Sequence, residues 1–161
     1  MPNQAPLTAL AERWAGAKAA ERANFQPYLI ELCEALGVER PRPAGSGYQF
    51  EQPVKVVTRD GVEVANFIDC HRTDFFSIEA KDEEPGKSTE ILLRRAFGQL
   101  RHYASHAPGG LPPFLIVMDV ARTAIVWDRW DGGYGDWQAG RRIDLARLDQ
   151  RPDDAEFLRA I

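Results

Sequence analysis

Residues 75–84 read FFSIEAKDEE, and how they are parsed decides the rest of the chain. Side chains alternate faces along a strand, so Phe76, Ile78 and Ala80 share one side while Ser77, Glu79 and Lys81 share the other. The pattern predicts a strand over 75–81 that is apolar on one face and carries a carboxylate and an ammonium on the other. The loop DEEPGK follows it.

Upstream, YQFEQPVKVVT (48–58) and VEVANFIDC (62–70) read as two strands around a turn at Arg59-Asp60-Gly61, and HRTD is read as the turn into the third. Downstream, Ser88 can cap a helix over 89–106, with Ile91, Leu92, Ala96, Leu100 and Tyr103 as its apolar members. FLIVMDV (114–120) is a short continuous apolar run, as in a strand buried on both faces. TAIVWDR (123–129) is its expected hairpin partner. The loop DGGYGDWQAG, a strand RRIDLARL and a helix from about Asp153 complete the order. Before the strands, 7–23 reads as one helix. A second runs from Phe25 to Leu36, with apolar residues at threes and fours and Gly37 as terminator, and the Pro/Gly linker VERPRPAGSG follows. The expected fold class is α/β (α+β), with a three-strand meander, a crossover helix and a further strand forming a mixed sheet flanked by helices. It is read as a single domain over 1–161, with an N-terminal helix (1–23), a core (24–120) and C-terminal strands and helix (121–161).

Composition narrows the function. At 161 residues, 44% hydrophobic and 27% charged, the chain suits one soluble domain. It has no run of roughly 20 apolar residues for a membrane helix, and its first residues lack the basic-then-apolar order of a secretory signal. Cys33 and Cys70 form neither a disulfide framework nor a CxxC pair, so a cytoplasmic setting is expected. The net charge of −4 is not that of a basic nucleic-acid glove. Only four of the 20 basic residues are lysines and 16 are arginines, so Lys81 goes against the chain's habit.

Asp69 precedes Glu79 by ten residues, across the intervening turn, where a hairpin can set the two carboxylates side by side with Lys81 nearby. Metal-assisted phosphodiester hydrolysis wants such a set. Mg²⁺ takes hard oxygen ligands and binds through one or two carboxylates plus substrate phosphate. A lysine is a compact point charge that an arginine cannot replace. The plainer alternative is three solvated charges on an edge strand. Gln99 and Tyr103 lie at i,i+4 on the helix and either line this site or serve as boundary and core residues. Lys87, Arg94, Arg95 and Arg101 put positive charge nearby that suits a DNA backbone, although such a run is more often simply a solvated face. His102 and His106 share that spacing without a third zinc ligand, and are expected to be exposed. Gly45-Ser46-Gly47 is too short a signal for a nucleotide loop. Trp127, Trp130, Tyr134 and Trp137 read as a packed hairpin rather than a base-stacking platform.

Asp69, nine residues, then Glu79-Ala80-Lys81 resembles the PD-(D/E)XK nuclease motif. Gln99-x-x-x-Tyr103 resembles the QxxxY element of that superfamily's RecB-like branch. ERANFQPYLIELCEALGVERPRP, IDCHRTDFFSIEAK, AFGQLRHYA and LPPFLIVMDV are similar, in order and spacing, to the N-terminal nuclease-like region of MmeI-like type IIL (IIG) restriction–modification enzymes. They are similar also to the related class I DNA methyltransferases of phage-defence systems such as DISARM. The resemblance implies a restriction-endonuclease-like core and a Mg²⁺-dependent DNA endonuclease, with Mn²⁺ as substitute. Asp69, Glu79 and the Ala80 backbone carbonyl would be metal ligands, Lys81 the catalytic lysine, and Gln99 and Tyr103 supporting residues. An acid from the first core helix often joins such sites; Glu31 is the candidate, with Glu34 close by.

The family pattern further implies double-stranded DNA as partner and a longer protein carrying a target-recognition part and an S-adenosylmethionine-dependent methyltransferase, of which this chain would be a fragment or split subunit. Two features depart from it. CHRTD replaces a Tyr/Lys-rich turn, and the loop DEEPGKSTEILL is long and acidic at its start. A nuclease-like module that binds or regulates a methyltransferase without cutting DNA is therefore the alternative function.

Overall fold

The computed structural model describes residues 3–17 and 21–161, with backbone alone for Glu21 and Arg22. In chain order the elements are α1 (Ala5–Trp14), α2 (Glu21–Leu36), β1 (Tyr48–Val57), β2 (Glu63–Arg72), β3 (Phe76–Ala80), α3 (Thr89–Ala104), β4 (Phe114–Asp119), β5 (Thr123–Asp128), β6 (Arg141–Asp144) and α4 (Pro152–Arg159). The six strands form one sheet in sequence order. Every neighbouring pair is antiparallel except β3 and β4, which α3 joins in parallel as a crossover. This is the mixed α+β arrangement that the alternation of elements predicts.

The apolar run of β4 explains the layering. Ile116 and Met118 pack with α1, α2 and α4 on one face, while Leu115 and Val117 pack with α3 on the other. A strand covered on both faces needs no polar alternation. On the α3 face Phe97 stacks on Trp127, with ring centroids 3.9 Å apart, and Trp137 closes over both. Of the four aromatic residues there, Trp127 and Tyr134 are buried, Trp137 is partly buried against them and Trp130 is exposed. Ser88 caps α3, accepting from the Ile91 N–H at 3.3 Å, a contact worth about 1 kcal/mol. Leu93 and Phe97 carry the buried stripe together with the expected Leu92, Ala96 and Leu100; Ile91 faces solvent.

The β1–β2 hairpin changes sides partway along. Tyr48 and Phe50 lie with the α2 cluster, yet Val54 and Val56, of the same parity, lie with α3. On β2 the same break separates Cys70 from Ile68. Between them Glu51 has φ 50°, a left-handed value that a non-glycine residue adopts rarely. Since Phe50 pairs with Cys70 and Gln52 with Ile68, the kink falls opposite Asp69.

Several boundaries differ from the sequence reading, among them the helix expected over 89–106, which ends at Ala104. The helix expected over 7–23 ends at Trp14, residues 21–23 belong to α2, and the part of that expectation at residues 18–20 lies outside the described residues. HRTD is not wholly a turn: β2 runs through Arg72, and His71 is fully buried, with Nδ1 2.7 Å from Ser77 Oγ and Nε2 donating to the Pro108 carbonyl at 3.1 Å. The strand expected over RRIDLARL stops at Asp144, whose side chain accepts from the Ala146 N–H and starts a 3₁₀ turn, Leu145–Gln150.

Candidate active site

The register of β2 and β3 brings the two predicted carboxylates together. Cys70 pairs with Ile78 and His71 with Ser77, so Asp69 and Glu79 oppose each other one step further along, on the face that α3 covers. Here the ladder is completed by side chains. Asp69 Oδ2 accepts from the Ala80 N–H at 2.9 Å, and Glu79 Oε2 lies 3.5 Å from the Asp69 N–H. Lys81 N–H reaches Met118 O on the other edge of β3, so both main-chain groups of Ala80 face β2, and its carbonyl looks into the same gap as the two acids. The hairpin kink at Glu51 supplies that gap.

Gln99 donates through Nε2 to Glu79 Oε1 at 3.1 Å, which orients the carboxylate from the helix side. The Tyr103 hydroxyl donates to Asn66 Oδ1 at 3.1 Å. Burial and the Glu79 charge push the Tyr103 phenol above its ordinary range, so it remains a donor. Lys81 is buried, with 3% of its side-chain surface exposed. Its Nζ lies 2.9 Å from Glu83 Oε1 and 3.7 Å from Asp119 Oδ1. Asp69, Glu79, Lys81, Gln99 and Tyr103 all line one polar cleft of about 400 Å³, together with Ala80.

Glu31 does not join them. Its carboxylate takes hydrogen bonds from Arg13 Nε, at 3.2 Å, and from the Trp14 indole, which tie α2 to α1. The residue of α2 that reaches the cleft is Gln26, with Phe25 beside it. Five residues along a helix rotate a side chain roughly 140°, so Gln26 and Glu31 cannot face the same way. The acid expected from the first core helix is thus not Glu31, and an amide occupies the α2 position at the cleft.

The four basic residues do not form one patch. Arg95 borders the site beside Gln99 and pairs with Glu84, whose carboxyl that hydrogen bond holds below its ordinary range. Lys87 is exposed just before α3. Arg101 donates to the Gly135 carbonyl at 3.1 Å and packs over Phe97; Arg94, exposed and seven residues away, falls on that same stripe of the helix. His102, on α3, and His106, just past its end, are both exposed.

The donor set suits a hard cation. Among the described residues no three His, Cys, Asp or Glu side chains come together as a ready-made cage. Two carboxylates and a main-chain carbonyl at the floor of a polar cleft instead leave positions for water and phosphate oxygens, which is how Mg²⁺ is usually held. Asn66, Gln26 and Asp119 went unnoticed in the sequence. Asp119 alone left a signal there, as the sole charge within FLIVMDV.

Comparison with known proteins agrees with the block-by-block resemblance. The family model described as MmeI, N-terminal domain matches residues 5–161. No curated protein matches the chain, and no solved structure does. With nearly the whole chain matched, it belongs to the MmeI N-terminal domain family, which fits a part of a restriction–modification enzyme.

Proposed function

We propose that this domain hydrolyses DNA phosphodiester bonds with Mg²⁺, as a nuclease of PD-(D/E)XK type within a restriction–modification enzyme. The observation that carries the reading is the interlock of Asp69 and Glu79 across β2 and β3, with Lys81 lining the same cleft.

Asp69, Glu79 and the Ala80 carbonyl would hold the cation, which when bound polarises a phosphoryl oxygen and acidifies a water. Gln99 fixes the rotamer of Glu79, so its second oxygen remains directed at the gap. Lys81 supplies positive charge where negative charge develops on the phosphoryl group. Tyr103 holds the Asn66 amide by its oxygen, which leaves the amide N–H groups to face a phosphate. Arg95 at the rim is the basic residue best placed for the DNA backbone. With a net charge of −4, the domain would draw its DNA affinity and target choice from other parts of the enzyme.

Asp69→Asn and Glu79→Gln preserve shape and remove charge. Each should cut the rate of DNA cleavage by the intact enzyme roughly a hundredfold or more while the melting temperature holds. Wild-type cutting by either variant rejects the assignment.

A second reading, a nuclease-like module without turnover, draws on the amide of Gln26 at the α2 position of the cleft and on the pairing of Lys81 with Glu83. Titration with Mg²⁺ or Mn²⁺, followed by NMR at Asp69 and Glu79, separates the two. Absence of site-specific binding at millimolar metal favours the silent module.

A further inference from the structure

Asp119 ends β4, one residue beyond Met118, whose carbonyl accepts from the Lys81 N–H at 2.9 Å. Because β3 and β4 are parallel, Lys81 and Asp119 leave the sheet side by side, on the α3 face. Only 3% and 4% of their side-chain surfaces are exposed, and Nζ lies 3.7 Å from Oδ1. That Oδ1 has no hydrogen-bond partner. A carboxylate so deep, with an oxygen unsatisfied, is costly unless a cation stands beside it. Glu83 is an acid of another kind. It sits on the loop after β3, 48% exposed, 2.9 Å from the same ammonium.

We propose that Asp119 is the positioning residue for Lys81. It anchors the ammonium at the floor of the cleft, while Glu83 is the exchangeable partner that a DNA phosphate displaces. The inference rests on the nuclease reading of the site. A phosphate oxygen entering the cleft competes with Glu83 for one ammonium. Glu83 can swing into water at little cost, since half-exposed ion pairs are weak. Asp119 has no such exit. The lysine therefore holds its direction while its outer partner changes from carboxylate to phosphate, and the acidic start of the DEEPGK loop becomes a removable cover.

The test uses the intact enzyme with Asp119→Asn and Glu83→Gln. With only four lysines in the chain, the Cε and Nζ resonances of Lys81 can be assigned through Lys81→Arg. Asp119→Asn is expected to displace the Lys81 resonance and to slow cleavage roughly tenfold to a hundredfold, with DNA affinity in Ca²⁺ unmoved. Glu83→Gln is expected to tighten DNA binding a few fold, the scale of an exposed ion pair. A merely structural Asp119 would lower the melting temperature and leave both the cleavage rate and the lysine resonance in place, which overturns the proposal. Should Asp119→Asn fail to fold, Asp119→Glu moves the charge by one methylene and is held to the same two readouts. If the wild type cuts no DNA, the nuclease reading fails by itself and the lysine spectrum decides: a displaced resonance upholds the anchor, an unmoved one removes it.

Discussion

Replacing Lys81 with Met should destabilise the fold by taking the cation away from buried Asp119. The ammonium and the Asp119 carboxylate are both almost wholly buried, 3.7 Å apart. Removing one member of a buried pair costs about 3–5 kcal/mol, because the other charge is stranded. Glu83 softens the loss, since it is half exposed and rehydrates; the lower end, about 3 kcal/mol, is the better figure. For a domain of this size that lowers the melting temperature by roughly 6–12 °C. Adding Asp119→Leu removes the stranded carboxylate and fills the space with carbon, so the double variant should recover most of that loss, as apolar replacements of buried pairs do. Cleavage should stay absent in both. The assay is urea and thermal unfolding followed by circular dichroism, beside DNA cleavage by the same preparations. Two results refute the argument: Lys81→Met melting with the wild type, or the double variant melting below the single one. The stable double variant also answers a practical problem. Loss of cutting by a lysine variant alone does not separate lost chemistry from a weakened fold.

Phe97→Ala empties the ring face stacked on Trp127 and should cost about 3–5 kcal/mol, read by denaturant titration with a change in tryptophan emission; a loss under about 1 kcal/mol would deny that this stack is core. Glu31→Gln should leave Mg²⁺ titration at the cleft unchanged, whereas Glu79→Gln abolishes it; metal binding that disappears with Glu31→Gln would restore Glu31 as a ligand. All four tyrosines, Tyr28, Tyr48, Tyr103 and Tyr134, are raised above the ordinary value of 10.0, chiefly by burial, with Tyr134 pushed up to about 12. For an acid whose folded value is raised, stability is complete below the unfolded value and is lost as pH climbs past it. Stability should therefore fall above about pH 10, and phenolate absorbance at 295 nm should appear later in the native protein than in urea. Coincident curves would contradict the burial.

How much of the site was legible depends on how far apart in the chain the cause of each feature lies. The alternation in FFSIEAK and the ten-residue spacing to Asp69 are local, and the β2–β3 register carries them directly into space. The same holds for the apolar run of β4 and the stripe of α3. Glu31 shows where local reasoning ends. Its helix was legible, but which side of that helix meets the sheet is set by Trp14 and Tyr28 packing edge to face, and the sequence pattern does not show that α1 ends at Trp14. Buried His71 was hidden for another reason, because HRTD has the composition of a turn and its burial comes from Pro108, on a distant loop.

Asp119 is the most instructive omission. It sits 38 residues from Lys81 and meets it only because β3 and β4 are parallel neighbours, a fact of topology that no spacing encodes. Even so, one charge at the end of a strand buried on both faces demands a partner, and lysines are rare in this chain. A rule follows for reading such chains: pair each charge that ends a doubly buried strand with the opposite charge ending the adjacent parallel strand, before assigning either to solvent. Applied to FLIVMDV and FFSIEAK, it selects Asp119 and Lys81. The rule survives only if the two side chains are energetically coupled, which the Lys81→Met and Asp119→Leu cycle measures; additive costs would mean that the buried acid and Lys81 are neighbours without being partners.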